Sequence, residues 1–121
     1  MTTTMPVDID QLQQQLRQYA DERDWQQFHS PKNLVMALSV EAAELQEHFQ
    51  WLTEVASAEL SPEKLQAVSH EMADVQVYLL RLADVLNVDL FAAVREKMVL
   101  NAEKYPADKV RGSAKKYTEY E

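Results

Sequence analysis

A chain of 121 residues that is 46% apolar, with one Gly, four Pro and no Cys, has the length of one domain and enough core-forming side chains to fold without a disulfide framework. Its net charge of −8 excludes a general surface for polymeric nucleic acid, whose affinity would come from Lys and Arg neutralising phosphates. The first six residues, Met1 to Pro6, read as a short disordered leader with no basic region, and no window approaches membrane-span length, so a cytoplasmic protein with no membrane partner is expected.

Asp8 or Asp10 can cap a first helix that carries Ile9, Leu12, Leu16 and Tyr19 on one face. It gives way near Arg23 to His29, a short polar stretch holding Trp25, Phe28 and His29. Aromatics in such a connection either pin it to the core or wall a ligand. Ser30 followed by Pro31 then reads as an N-cap with Pro at the first helical position.

The second helix is expected to run to about Trp51 and Leu52. Leu34, Leu38, Ala42, Leu45, Phe49 and Leu52 recur at steps of four and three, forming one apolar stripe. Glu41 sits on the margin of that stripe, with Glu44 one step along the same flank. Ionised carboxylates beside a core are costly unless compensated, and no cation lies in this segment. Glu47 points further away and reads as solvated.

Thr53 to Leu60 reads as a connection of polar and small residues, and Ser61 with Pro62 starts a third helix as Ser30 and Pro31 start the second. Leu65, Val68, Met72, Val75, Leu79, Leu82 and Leu86 form a heptad-like seam. Glu71 and Asp74 each precede a seam residue, and Tyr78 shares their offset. Val77 and Leu80 lie off the seam and offer apolar groups in a second direction, which points to subunit contacts.

Asn87 to Asp89 breaks this helix, and a fourth runs from Leu90 to about Lys104, stopped by Pro106. Lys97, Asn101 and Lys104 share one flank of it, as solvated basic rows commonly do. Residues 107–121 form a tail near +1 against near −9 for the rest, a contrast that fits either contact with an acidic body or a ligand, or disorder.

No segment alternates with period two, so the fold class is all-α: a four-helix-type bundle over residues 1–106, with the tail following. If the second and third helices pack antiparallel, Glu41, Glu44, Glu71 and Asp74 converge. Four acids require protons or a hard cation between them, and an all-oxygen ligand set suits Mg²⁺ or Mn²⁺. A di-iron bundle would need Glu-x-x-His steps; His29, His48 and His70 follow Gln26, Leu45 and Ala67 at that offset. The acids, the aromatic loop and the basic flank together describe a site for a metal-bound polyphosphate carrying a flat group. The non-enzymatic alternative is a helical oligomerisation or binding module in which the acids only solubilise the seam.

Glu41-Ala42-Ala43-Glu44 followed by Glu71-Met72-Ala73-Asp74 resembles the ExxE and ExxD signature of the MazG-like all-α nucleoside triphosphate pyrophosphohydrolases. The runs Arg23 to His29, Phe49 to Trp51, Asp74 to Tyr78, Val88 to Leu90 and Lys97 to Asn101, with Tyr105-Pro106, are similar to the dCTP pyrophosphatase branch. The resemblance implies a homo-oligomer, a tetramer of paired dimers where the apolar faces alone call for a dimer or tetramer, that hydrolyses a (deoxy)nucleoside triphosphate such as dCTP to the monophosphate and pyrophosphate. It implies Mg²⁺ held by Glu41, Glu44, Glu71 and Asp74, with Glu41 and Glu44 the candidates for activating water. The base pocket would draw on Trp25, Gln26, Gln27, Phe28, His29, Trp51 and Tyr78, with Lys97 and Asn101 toward the phosphates. Nine residues before Trp25, where a base-pocket His is expected in the animal members that hydrolyse dCTP, stands Leu16.

Overall fold

The computed structural model describes residues 8–114 and 118. Among these the regular structure is helical throughout: α1 (Ile9–Glu22), α2 (Pro31–Glu47), α3 (Glu54–Ser57), α4 (Pro62–Val85), α5 (Leu90–Lys104) and α6 (Ala107–Val110), with a 3₁₀ turn at Gln26–Phe28. The four long helices are those the periodicity predicts, and no helix among the described residues is long and apolar enough to cross a membrane. The chain divides into two compact units, one ending at Asn87 and one beginning at Val88.

The helix starts follow from local chemistry. Asp8, Ser30, Thr53, Ser61 and Asp89 each turn a side-chain oxygen onto a backbone N–H of the first turn, satisfying donors that no preceding residue can reach. The ends are less regular, because a chain with one Gly has few residues that relax into the left-handed region. Asp24 (φ 54°) takes that role after α1, and Asn87 (φ 57°) takes it after α4.

Three boundaries differ from the sequence reading. The second helix ends at Glu47, four residues before Trp51. There the amides of His48 and Phe49 bond to the carbonyls of Leu45 and Gln46, tightening the chain into a turn. Thr53 to Leu60 contains α3, whose first turn is closed by the Thr53 hydroxyl. In the tail, residues 107–110 form α6, while Lys115, Lys116, Glu119 and Glu121, like the leader expected at Met1 to Pro6, lie outside the described residues.

In the first unit α4 is the central element, packed by α2 on one side and α1 on another. The apolar stripe of α2 needs correction at two places: Ala42 is exposed, and Glu41 occupies the inward line with Leu34, Ala37, Leu38 and Leu45. The seam of α4 shifts in the same way. Leu65, Met72 and Leu86 are exposed, Met72 by 57%, whereas Val68, Glu71, Val75 and Tyr78 turn inward. The direction read as a subunit contact is filled by α1. Leu80 is 0% exposed, its carbonyl accepts from Gln13 Nε2, and Val77 lines a cavity with Leu16 and Ala20 of α1. The apolar groups left in water on these two helices include Leu65 and Met72 of α4 and Val35, Met36 and Val40 of α2.

Period counting misplaced both stripes for one reason. It assigns the core to the greatest density of apolar residues, and here an inward line on each of two facing helices includes a carboxylate.

Candidate active site

Glu41 and Glu71 come from those two inward lines and meet between α2 and α4. Together with Glu44 they offer carboxylate oxygens that all lie within 4.8 Å of one another. Glu41 and Glu71 are partly buried, Glu44 is exposed, and one oxygen each of Glu41 and Glu71 is shut away from water without a hydrogen-bond partner. Buried carboxylate oxygens are seldom left unsatisfied, and a hard cation is the partner their chemistry fits. The geometry registers the same deficit. Removal from water, hydrogen bonding to Glu44 and Glu71, and the charges of Glu44 and Asp74 push the Glu41 carboxyl up to about 7. Asp74 is exposed and stands outside the triad of approaching oxygens, acting on Glu41 through its charge.

Next to the acids lies a cavity of about 350 Å³ lined by Trp25, Phe28, His29, Asn33, Leu34, Ala37 and Tyr78, within the size range of small-molecule sites. An adjoining pocket of about 100 Å³ shares Trp25, His29 and Tyr78 and adds Leu16, Tyr19, Ala20, Val77 and Arg81. Leu34 and Ala37 precede Glu41 by about one to two helical turns, while Tyr78 follows Glu71 by about two. Leu34 thus faces Tyr78 where Glu41 faces Glu71, which makes the two helices antiparallel. The cavity and the acids therefore occupy one groove, offset along it by about 6–10 Å.

The loop before α2 is built to hold its aromatics against that groove. The Asn33 side chain donates to the Phe28 carbonyl at 3.1 Å, and the Trp25 amide bonds back to the Ala20 carbonyl at 2.9 Å. Trp25 meets Tyr19 edge to face at 5.8 Å between ring centres, and the Arg23 guanidinium lies 3.5 Å over the Tyr19 ring.

Gln26 and Gln27 do not line either cavity. Gln27 Nε2 donates to the Asp24 carbonyl and carboxylate at 3.0 Å, so it shapes the turn. Gln26 Oε1 accepts from Arg81 NH2 at 2.7 Å. Trp51 lies in the turn after α2 and is 87% exposed, away from both cavities. Lys97 and Asn101 are exposed on α5 in the second unit; the Asn101 carbonyl accepts from the Tyr105 amide and ends that helix.

Sequence reasoning missed an ion network beneath the cavity. Arg81 is 3% exposed and donates to Asp84 at 3.2 Å, Gln26 at 2.7 Å and His29 Nδ1 at 3.3 Å. Asp84 also accepts two bonds from Arg17, at 2.6 and 3.0 Å, and that pairing holds its carboxyl below the usual carboxylate range. Burial, and then the charge of Arg81, hold His29 below its ordinary value. The available signal was an Arg and an Asp three residues apart inside the otherwise apolar run Tyr78 to Leu86, where an isolated charge would be prohibitive.

Residues 36–120 match the model of the MazG-like family. The chain is 47% identical over 104 residues to dCTP pyrophosphatase 1 of Homo sapiens and 46% identical to that of Mus musculus, in each case over 84% of this chain. It spans about 61% of the length of these curated relatives. The crystal structure of a pyrophosphatase from Archaeoglobus fulgidus superposes with a TM-score of 0.78 at 37% identity, covering 88% of this chain and 99% of that one.

Proposed function

Since this chain belongs to the MazG-like family, we propose that it hydrolyses (deoxy)nucleoside triphosphates, dCTP or a modified dCTP foremost, to the monophosphate and pyrophosphate. The observation that carries the reading is the shared groove: a triad of acids, two of them with an orphaned oxygen, lies about one to two helical turns from an aromatic cavity of small-molecule size. That offset matches a nucleotide whose base enters the cavity while its phosphates reach the acids. The relatives named dCTP pyrophosphatase 1 support the choice of substrate.

Glu41, Glu44 and Glu71 hold the metal, Mg²⁺ or alternatively Mn²⁺, and Asp74 completes the set. Bound there, the cation offsets charge on the leaving pyrophosphate and eases deprotonation of water. Of the two candidate bases, Glu44 is the solvent-open one and is suited to take the proton from the attacking water, while the more enclosed Glu41 fixes the site. Trp25, Phe28, His29 and Tyr78 contain the base, and Leu16 stands at the rim of the adjoining pocket. An apolar side chain there offers no hydrogen bond, so base selection rests on the remaining polar groups. Gln26 and Gln27 act by holding the loop. Trp51, Lys97 and Asn101 complete the binding surface in a homo-oligomer, dimer or tetramer, of a cytoplasmic enzyme. The exposed Leu65, Met72, Val35, Met36 and Val40 supply the apolar surface for that assembly. We take residues 1–106 as the catalytic domain and residues 107–121 as a basic-rich tail.

Incubation with a panel of triphosphates and Mg²⁺, Mn²⁺ or chelator tests the reading by pyrophosphate release. Release from dCTP that stops with chelator is the expected result. No release from any nucleotide with either metal would leave the helical oligomerisation module as the better account. Within the enzyme reading, Trp25→Ala should weaken dCTP binding by about 1–3 kcal/mol, the scale of one lost stacking partner. Titration calorimetry with a non-hydrolysable dCTP analogue measures that loss, and parent-like affinity would return Trp25 to a purely structural role.

A further inference from the structure

His29 contributes to both cavities, and one of its two ring nitrogens is already committed. Arg81 Nε donates to Nδ1 at 3.3 Å. A guanidinium has five donors, no acceptor and no accessible neutral form, so its polarity toward the ring cannot reverse. Nδ1 must therefore be unprotonated, and the ring proton must sit on Nε2, the ring nitrogen not committed to Arg81.

Arg81 is itself fixed from the other side. Its NH1 is held by Asp84 and its NH2 by Gln26. Gln26 cannot turn its amide over without pointing donors at the guanidinium, and its Nε2 is bonded to the Arg17 carbonyl at 3.4 Å. Asp84 is shared with Arg17, so one carboxylate anchors both guanidiniums. Groups from α1, α4 and the 3₁₀ turn thus converge to orient one imidazole.

We propose that Arg81 is a positioning residue that holds His29 as the neutral Nε2–H tautomer, so that the cavity presents a hydrogen-bond donor to an acceptor on the edge of the bound nucleobase. The inference rests on the nucleotide-hydrolase reading above. A pyrimidine edge bearing a carbonyl or an unprotonated ring nitrogen satisfies that donor, and an amino group does not. The lowering of His29 by burial and then by the charge of Arg81 agrees with it.

The test uses the intact protein. Two-bond proton–nitrogen spectra report histidine tautomers directly, and Asn substitution of His29 identifies its signals among three histidines. The parent should show Nε2–H at His29. Arg81→Met, in which Asp84 keeps its pair with Arg17, should lose the single tautomer and raise KM for dCTP about ten-fold, with kcat changed by no more than about two-fold. Arg81→Lys, which keeps a charged donor, should restore the tautomer and most of the KM.

A parent ring protonated on Nδ1, or averaged between tautomers, would overturn the proposal without recourse to any variant. So would an Arg81→Met protein that folds and keeps both KM and tautomer. A parent that hydrolyses no triphosphate sinks the functional reading and the base-recognition role with it, while the spectra still decide whether Arg81 orients His29.

Discussion

Glu41→Gln should cut pyrophosphate release from dCTP by about a hundred-fold or more, while the metal-free variant melts at the parent's temperature or above it. The two effects have one origin. Glu41 lies on the inward line of α2, has an oxygen without a partner, and is crowded by Glu44, Glu71 and Asp74. An amide fills the same space without charge and can donate to a neighbouring carboxylate, so repulsion in the metal-free fold is relieved. The same amide is a poor ligand for a hard cation and cannot take a proton, so turnover falls. Glu44, solvent-open, tests the division of roles: Glu44→Gln should lower turnover with little gain in metal-free stability. Thermal melts in chelator beside pyrophosphate assays separate the cases. A Glu41→Gln protein that is clearly destabilised without metal yet turns over at the parent rate would place Glu41 in a structural role and remove it from the site.

Where the sequence was legible, the information was local. Serine or threonine caps, Pro at first helical positions and a helical period are consequences of the nearest few residues, and the long helices appeared close to where they were expected. The acids were legible for a related reason: a carboxylate on the border of an apolar stripe is anomalous whatever the partner. What the pattern could not convey was which line of each helix faces inward. Met72 looks like a better core residue than Glu71, and Ala42 than Glu41, yet both apolar groups are exposed and both acids turn inward.

The aromatic loop divides in the same way. Trp25, Phe28 and His29 reach the cavity as their clustering indicates. Gln26 and Gln27, their neighbours in sequence, instead tie down Arg81 and Asp24, because in a 3₁₀ turn adjacent side chains point about a third of a turn apart. The Arg17–Asp84–Arg81 network joins residues 67 positions apart in sequence, so no local rule exposes it. Only the cost of an isolated charge in an apolar run hints that such partners exist.

Stabilisation by Mg²⁺ should grow strongly as the pH rises through neutrality, and Glu41 should account for most of that growth. Its carboxyl titrates near 7 in the folded chain against 4.5 ordinarily, so the protonated form is the one the metal-free fold prefers. Below pH 4.5 the group is protonated in both folded and unfolded chains and has its most favourable effect on stability. Between about 4.5 and 7 the unfolded chain ionises first, so the metal-free protein loses stability as the pH rises, and the loss levels off above the folded value. Metal binding demands the ionised form and must displace a proton at the acid end of that window but not above it. Melting temperatures with and without excess Mg²⁺ should therefore diverge only slightly at about pH 5.5 and widely at about pH 8. In Glu41→Gln the decline of metal-free stability across the window should flatten and the divergence should largely vanish, which isolates the contribution of this one carboxyl. A Mg²⁺ shift of equal size at both pH values in the parent would show that Glu41 is already ionised in the metal-free fold, and that the acids are not held together as tightly as their geometry requires.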